Sequence, residues 1–235
     1  MKAMIFAAGL GTRLFPITKD KPKALAPFKD NTLLGYNLNF LAQQGITKFV
    51  INTHHFANKI EEYLESNNNF GLDIQLSYEE NLLDTAGGLA KAAHFFDKDD
   101  NVLLYNVDVI SNIDIQKMLD FHIEQNAAAT LAVRDRLTSR YLLFNSDNIL
   151  VGWRNRNTEE EISCRESKNS NELAFSGIHW INMSLINKLE IKKSSIIPFY
   201  LEEGKDHNIL AYKHDNDYWF DCGKPETLLL AHNRA

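Results

Sequence analysis

The sequence is poor in cysteine and in positive charge, and each shortage excludes a class of protein. Only Cys164 and Cys222 occur among the 235 residues, so the chain has neither a disulfide framework nor the cysteine spacing of a zinc site. The formal net charge of −6 offers no basic field to the backbone of DNA or RNA, so a nucleic acid polymer is not an expected partner. A small anionic ligand would instead require local cations.

Long hydrophobic runs are also missing. The opening segment MKAMIFAAGLGTR has a short apolar run that glycines interrupt, and it carries no signal-peptide cleavage pattern. We therefore expect a cytoplasmic protein with no membrane partner. The remaining composition, 44% hydrophobic and 24% charged residues, is that of an ordinary globular protein. The length suits one sizeable core, so we expect a single domain over residues 1–235.

Strand-like and helix-like segments alternate along the first half of the chain. Short apolar runs occupy residues 3–8, 49–51, 74–78 and 101–105, and helical spacing covers 32–44, 57–64 and 88–96. This alternation predicts an α/β fold, with a Rossmann-like, mostly parallel mixed sheet and helices on both faces. Closely spaced runs at 130–133, 141–144 and 149–153 predict a small antiparallel insertion. The polar segment 154–172 predicts an exposed loop or hairpin before a strand over 174–181.

A glycine-rich turn follows the first strand. It reads Ala7-Ala8-Gly9-Leu10-Gly11-Thr12-Arg13, with Pro16, Thr18 and Pro22-Lys23 after it. Glycines there let backbone N–H groups approach phosphate oxygens without a Cβ in the way. Arg13 can hold the β- and γ-phosphates of a nucleotide, and Lys23 can reach the α-phosphate. The turn lacks the Lys-Ser or Lys-Thr of a Walker loop and the third glycine of a dinucleotide fingerprint. A tight turn with two surface cations is the structural alternative.

Asp108 ends the apolar segment Leu104-Tyr105-Asn106-Val107-Asp108. Open α/β sheets bind ligands beyond the carboxyl ends of their strands. A carboxylate at that edge is suited to Mg²⁺, which prefers oxygen ligands and shares them with phosphates. An aspartate that caps the following turn is the structural alternative.

The glycine-rich motif, A-A-G-x-G-T-R followed by P-x-T and P-K, resembles the signature of the sugar-1-phosphate nucleotidyltransferases. The stretches NLLDTAGGLAKA, LLYNVDV, AFSGIHWIN and YWFDCG follow in the order of that family. The likeness spans nearly the full chain and is greatest to the short N-acetylmuramic acid 1-phosphate uridylyltransferases. It implies the nucleotide-diphospho-sugar transferase fold. It also implies transfer of a nucleoside monophosphate from a triphosphate, with UTP as the expected donor, to a sugar 1-phosphate with release of pyrophosphate.

The resemblance implies a role for each motif residue. Arg13 and Lys23 are the implied catalytic cations, and Asp108 and Asp221 are the implied ligands of Mg²⁺. Nucleotide contacts are implied for Ala7, Ala8, Gly9, Gly11, Thr12, Glu79, Ala86 and Gly87. Asn106 and Gly177 are the implied sugar contacts. The structural alternatives are a surface acid at Glu79, a packing glycine at Gly177 and a backbone hydrogen bond at Asn106.

Three departures from the family pattern leave the sugar open. Val107 replaces the glycine that usually precedes the metal aspartate, and a side chain there is expected to crowd or displace the sugar. The central region has no Glu-Lys-Pro segment, and the neighbourhood of Arg140 and Tyr141 lacks the acidic residue that the resemblance leads us to expect. Three alternatives therefore stand beside uridylyl transfer. They are guanylyl transfer to mannose or heptose 1-phosphate, cytidylyl transfer to phosphocholine, and a non-catalytic sensor of NDP-sugars.

Overall fold

A computed structural model describes residues 1–98 and 100–234. Within them, the strands are β1 (Lys2–Phe6), β2 (Pro27–Phe28), β3 (Asn31–Thr32), β4 (Lys48–Thr53), β5 (Asp73–Tyr78), β6 (Asn101–Asn106), β7 (Val109–Ser111), β8 (Ala129–Arg134), β9 (Arg140–Phe144), β10 (Leu150–Asn155), β11 (Glu160–Ser163), β12 (Asn171–Asn182), β13 (Ile209–Lys213) and β14 (Trp219–Asp221). The helices are α1 (Leu33–Gln43), α2 (Ala57–Ser66), α3 (Asp84–Ala92), α4 (Ile115–Glu124), α5 (Met183–Ile186), α6 (Ile196–Glu203) and α7 (Pro225–Arg234).

The parallel part of the main sheet is built around β1. This strand lies between β4 and β6 and runs parallel to both, so that Ile5 is in register with Ile51 on one side and with Tyr105 on the other. β5 extends the parallel part beyond β4. Because these four strands run in one direction, their carboxyl ends meet at one edge of the sheet. The predicted phosphate turn, Glu79 and Asp108 all follow strands that end there.

Helices cover both faces of this sheet, as the sequence predicts. Alternate residues of β1 point to opposite sides, with Met4 in one core cluster and both Ala3 and Ile5 in another. The first cluster includes buried residues of α3, α5 and α6, and the second includes those of α1, α2 and α4. The α/β prediction is confirmed. None of the helices in the described residues is long and apolar enough to cross a membrane. The cytoplasmic location stays a prediction.

The antiparallel insertion forms around the long strand β12. Residues 178–182 of β12 pair antiparallel with β6, whereas residues 171–173 pair with β9. The ladder between β12 and β8 shifts register between Phe175 and His179, and this bend directs the first half of β12 into the insertion. β9, β10 and β11 then follow as antiparallel neighbours. The predicted polar hairpin is the β10–β11 pair, where Arg154 forms ion pairs with Glu161 and Glu172.

The predicted helix over 88–96 differs from α3, which begins at Asp84 and ends at Ala92. The prediction starts the helix at Gly88, whereas both Gly87 and Gly88 lie inside α3. A Cβ on Gly87 would be 2.1 Å from the carbonyl oxygen of Lys192, and one on Gly88 would be 2.6 Å from Glu79 Oε1. The two glycines therefore serve close packing of α3 against its neighbours rather than a turn.

Candidate active site

Two cavities open at the carboxyl edge of the parallel strands. The larger, of about 400 Å³, is lined by Phe6, Ala8, Gly9, Arg13, Lys23, Asn52, Glu79, Leu82, Asp84, Thr85, Asn106, Asp108 and Lys193. The smaller, of about 160 Å³, is lined by Arg13, Asn106, Asp108, Val109, Arg136, Phe175, Ser176, Gly177, Trp219 and Asp221. Arg13, Asn106 and Asp108 border both cavities, so the two form one continuous cleft.

The glycine-rich turn needs glycine for two different reasons. Gly11 has a φ of +64°, and a Cβ there would lie 3.0 Å from both Lys23 Cβ and Thr18 Cγ2. The Thr18 hydroxyl donates a hydrogen bond to the carbonyl of Gly11 over 2.9 Å and so fixes the turn. A Cβ on Gly9 would lie 4.0 Å from Lys23 Nζ, between the backbone and that ammonium group. Gly9 thus leaves the backbone accessible, whereas Gly11 shapes the turn.

The predicted residues of this turn divide into two groups. Ala8, Gly9 and Arg13 line the 400 Å³ cavity. The lining does not include Ala7, Gly11 or Thr12. The amide of Ala7 donates to Asn52 Oδ1 over 2.8 Å, which anchors the turn to a residue of the lining. The nucleotide contacts assigned to these residues stay predictions.

Asp108 and Asp221 reach the same cavity from segments that are 113 positions apart. β14 pairs with β7, which puts Asp221 opposite Val109. The amide of Cys222 donates to the carbonyl of Asp108 over 2.7 Å and ties the two segments together. Asp108 also accepts a hydrogen bond from Lys23 Nζ over 2.7 Å. The structure therefore brings Lys23 and both aspartates to one cleft, with Asp108 at the point where the two cavities join.

These carboxylates fit a magnesium ion that arrives with a nucleotide. In the part of the chain that the structure describes, no three or more His, Cys, Asp or Glu side chains are grouped to hold a metal by themselves. Mg²⁺ commonly uses one or two carboxylates and takes its other ligands from phosphates and water. Each aspartate keeps acceptor capacity, since Lys23 occupies only Oδ2 of Asp108 and the amide of Gly223 only Oδ1 of Asp221. The metal role stays a prediction.

Arg13 lies beside the second aspartate. A Cβ on Gly223 would be 2.7 Å from Arg13 Nη2 and 2.8 Å from Asp221 Oδ1, so the guanidinium and the carboxylate border the same glycine. The Arg13 side chain is exposed in the cleft. A cation that borders both cavities can contact an anionic group shared between two ligands.

The two predicted sugar contacts meet directly. Gly177 has a φ of +75°, and a Cβ there would be 2.6 Å from Asn106 Nδ2 and 3.2 Å from Val109 Cγ2. Gly177 therefore gives the Asn106 side chain its place in the smaller cavity. The hydrogen bond from either residue to a sugar stays a prediction.

Glu79 is part of a buried hydrogen-bond chain. Its Oε1 accepts from Asn52 Nδ2 over 2.7 Å, its Oε2 accepts from the amide of Leu83 over 2.8 Å, and Asn52 Oδ1 accepts from Ala7. This chain joins the phosphate turn after β1 to the loop before α3. The alternative of a surface acid is wrong, because Glu79 has no exposed surface. The base contact stays a prediction, and the observed contacts give Glu79 a bracing role.

Ala86 and Gly87 do not reach the cleft in this structure. Their amides donate to the carbonyl of Ser194, over 2.9 Å and 3.3 Å. Ser194 in turn donates from its amide to Leu83, and the amide of Ile196 donates to the hydroxyl of Thr85. Residues 192–196 therefore cover the first turn of α3. The nucleotide role of Ala86 and Gly87 stays a prediction.

Two further cations of the cleft, Arg136 and Lys193, are not predicted from the sequence. Arg136 lies over the Trp219 ring, 4.4 Å from its centroid, and its Nη2 donates to the carbonyl of Phe175 over 3.1 Å. Burial lowers the pKa of Arg136, and the nearby Asp221 carboxylate opposes that shift. Lys193 lines the 400 Å³ cavity because residues 192–196 lie against α3. Neither residue lies in a recognisable motif, so no sequence signal identifies it.

The profile of the nucleotidyl transferase family matches residues 2–159 of the chain. The protein belongs to the nucleotidyl transferase family. Among its curated relatives is a mannose-1-phosphate guanyltransferase of Candida albicans, 28% identical over 240 residues that cover 97% of this chain and 63% of the relative. Another is a UTP–glucose-1-phosphate uridylyltransferase of Synechocystis, 34% identical over 161 residues that cover 63% of this chain and 42% of the relative. The chain thus spans less than two thirds of the length of these relatives.

Solved structures share the fold. HddC from Yersinia pseudotuberculosis, complexed with GMP-PN, superposes with a TM-score of 0.78 at 18% identity and covers 99% of this chain and 98% of that one. A protein of Bacillus anthracis, described as a "putative glucose-1-phosphate thymidylyltransferase", superposes with a TM-score of 0.78 at 20% identity. The match covers 99% of this chain and 94% of that one. These relatives confirm the predicted fold. The reported relatives do not single out the muramic acid uridylyltransferases that the sequence motifs favoured.

Val107 does not act as expected in this nucleotidyl transferase. Its side chain is completely buried in the core cluster that also contains Ala7, Leu34 and Leu38, and it is not part of the lining of either cavity. The carbonyl of Val107 accepts a hydrogen bond from Asn37 Nδ2 over 2.9 Å, which fixes the backbone before Asp108. The expectation that Val107 crowds the sugar is therefore wrong, because the side chain points into the core rather than into the cleft.

Proposed function

We propose that the protein transfers a nucleoside monophosphate from a nucleoside triphosphate to a sugar 1-phosphate and releases pyrophosphate. The observation that carries this proposal is the junction of the two cavities, which Arg13, Asn106 and Asp108 share. A cleft of this shape accommodates two phosphorylated ligands whose phosphates meet at the junction. Membership of the nucleotidyl transferase family and the names of the curated relatives support the same reaction class.

In the proposed reaction, an oxygen of the sugar phosphate attacks the α-phosphorus of the triphosphate in line, and the bond to the bridging oxygen of pyrophosphate breaks. No protein nucleophile is required. Arg13 neutralises charge on the departing β- and γ-phosphates, and Lys23 holds the α-phosphate. Catalysis of this kind consists of positioning and charge stabilisation in a partly enclosed cleft.

Asp108 and Asp221 are the residues that would hold Mg²⁺. The ion would supply further neutralisation of the negative charge that two phosphorylated substrates bring together. Lys23 already pairs with Asp108 at 2.7 Å. The pairing holds the lysine beside the proposed position of the reacting phosphate.

The specificity we propose first is UTP with an N-acetylated hexose 1-phosphate, with muramic acid derivatives as the leading acceptors. It rests on the order and spacing of NLLDTAGGLAKA and AFSGIHWIN. The second candidate is GTP with mannose 1-phosphate, which is favoured by relatives such as the mannose-1-phosphate guanyltransferase of Debaryomyces hansenii, 29% identical over 97% of this chain. Glu79 lines the larger cavity, and uracil and guanine both offer an N–H donor, so a base contact at Glu79 would not decide between the two bases. The convergence of Arg13, Lys23, Asp108 and Asp221 favours an enzyme over a sensor.

The test is a matrix of triphosphates against sugar 1-phosphates, with pyrophosphate release as the readout. UTP, GTP, CTP and dTTP are each combined with the 1-phosphates of glucose, mannose, N-acetylglucosamine and N-acetylmuramic acid, with Mg²⁺ present. Asp108→Asn protein that is purified in parallel by the same procedure is the control for contaminating enzymes. We expect release to depend on both substrates and to exceed that control. If pyrophosphate release is no faster than in the control for every pair of triphosphate and sugar 1-phosphate, the proposed reaction is contradicted.

A further inference from the structure

A third cavity continues the cleft on the side away from the nucleotide cavity. Its volume is about 480 Å³, within the roughly 300–1,000 Å³ of small-molecule pockets. Arg136 and Phe175 line both this cavity and the 160 Å³ cavity that contains Asp221. A ligand whose phosphate lies at Asp108 and Asp221 can therefore extend past Arg136 into the third cavity.

The lining of this cavity is largely hydrocarbon. It lies between the antiparallel insertion and α6. The insertion contributes Tyr141, Leu142 and Trp153, and α6 contributes Ile197, Pro198 and Leu201. Sugar hydroxyls are recognised by convergent polar groups, which leave a large penalty when they are unmatched. Apolar walls instead favour a substituent that leaves water, and burial of each methylene group contributes about 0.8 kcal/mol.

We propose that this third cavity is an acyl pocket, and that the acceptor is a sugar 1-phosphate bearing an uncharged acyl substituent that enters it. The inference rests on the proposed function and extends its N-acetylated acceptor to longer uncharged acyl groups. The phosphate of the acceptor lies in the 160 Å³ cavity, and the acyl chain passes Phe175 to contact Leu142 and Trp153.

The charges around the acyl pocket exclude a cationic substituent. Arg136, Arg140 and Glu160 are the charged residues of its lining, with a net charge of +1. A choline-type ammonium group binds on aromatic faces with nearby acids. Here the Arg136 guanidinium already lies on the face of Trp219 at 4.4 Å, and a second cation beside it would be repelled. An uncharged acyl group fits this pocket, whereas phosphocholine does not.

The experiment compares acceptors of increasing acyl length in the presence of the preferred triphosphate. One series carries the substituent on the 2-amino group of glucosamine 1-phosphate, as free amine, acetyl, butanoyl and hexanoyl. A second carries the same acyl groups on the 6-hydroxyl of glucose 1-phosphate. We expect kcat/KM to rise along one series, by up to roughly fourfold per methylene that becomes buried. A flat or falling kcat/KM in both series, with turnover of the parent sugar phosphates, overturns the acyl pocket.

Two neighbouring residues supply matched variants. Thr138 lines the acyl pocket, whereas Leu137 beside it is 96% exposed. Thr138→Trp places an indole in the pocket. It should remove the preference for the butanoyl acceptor, so that the ratio of its kcat/KM to that of the unsubstituted acceptor falls to about one. Leu137→Trp adds the same group outside and should keep that ratio. An unchanged ratio in folded Thr138→Trp protein also overturns the inference. If the protein turns over no sugar phosphate with any triphosphate, the proposed function is wrong, and this inference is wrong with it.

Discussion

The Nζ atom of Lys23 lies 2.7 Å from Oδ2 of Asp108, and the two side chains are only 16% and 10% exposed. Asp108→Asn keeps the size of the side chain but removes its charge. We expect turnover to fall at least about 100-fold, since the variant would lose both the proposed metal ligand and the partner that positions Lys23. Steady-state pyrophosphate release measures the effect. Asp147→Asn, at an exposed loop position, is the control and should leave turnover unchanged.

Arg13→Ala removes the cation that borders both cavities. Its side chain is exposed, so the melting temperature should change little. Turnover should fall by about 100-fold or more, because under the proposed mechanism charge on the leaving pyrophosphate would no longer be stabilised. Arg156→Ala is the matched control, since Arg156 lies on the surface with a side chain that is 59% exposed. Near-normal turnover of folded Arg13→Ala protein contradicts the role assigned to Arg13.

Adjacent lysines test whether residues 192–196 contribute to nucleotide binding. Lys193 lines the 400 Å³ cavity, whereas the ammonium of Lys192 pairs with Glu190 at 2.7 Å on the surface. Lys193→Ala should raise the KM for the triphosphate about twofold to fivefold with little change in kcat, and the difference should shrink in high salt. Lys192→Ala should keep the wild-type KM. Equal effects of the two substitutions would show that only net charge matters.

Gly177→Ala separates backbone strain from steric conflict. Gly177 and Gly71 both have positive φ, +75° and +69°, but a Cβ on Gly71 meets nothing within 4 Å whereas one on Gly177 meets Asn106. Gly71→Ala should cost about 1–2 kcal/mol in unfolding free energy, from conformation alone. Gly177→Ala should cost more and should also raise the KM for the sugar phosphate, because Asn106 is displaced. Chemical denaturation and acceptor kinetics measure the two effects.

The sequence predicts the part of the site that is formed by residues close in the chain to the ends of the parallel strands. Arg13, Lys23 and Asp108 lie close to strands whose parallel pairing follows from the β-α alternation, so their convergence at one edge is foreseeable. The approach of Asp221 depends on the β14–β7 ladder, which joins segments far apart in the chain. The resemblance to a family supplied that residue, whereas the spacing of the sequence did not.

Tertiary packing decides the residues that the sequence could not assign. Gly87 reads as a ligand-binding glycine, but the carbonyl of Lys192, more than a hundred positions later, makes glycine necessary there. From the sequence, the Val107 side chain is expected to obstruct the sugar. Where that side chain points depends on how the end of β6 packs against α1, which the sequence does not reveal. Arg136 becomes part of the cleft only when Trp219 lies under its guanidinium. No periodicity or motif encodes these three contacts.

His214 couples the acid stability of the fold to the 160 Å³ cavity, which Ser176 and Trp219 line. Its Nε2 lies 2.7 Å from the Ser176 hydroxyl, and the carbonyl of Ser176 accepts from Trp219 Nε1 over 2.8 Å. Burial, with a contribution from the nearby Arg134, lowers the pKa of His214 to about 4, and Asp215 opposes the shift. The folded protein therefore binds fewer protons than the unfolded chain between pH 6.5 and about 4.

Because the unfolded chain takes up the extra proton, the unfolding free energy contributed by His214 is fully present above pH 6.5 and falls as the pH drops toward 4. The loss should approach about 1.4 kcal/mol per pH unit for this one group. His214→Gln, which can still bond to Ser176, should flatten the pH dependence of denaturant unfolding over this range. His94→Gln, at an exposed position, should leave the slope as it is. A wild-type slope in His214→Gln would assign the acid sensitivity to the other buried histidines, His122 and His179, whose pKa values burial also lowers.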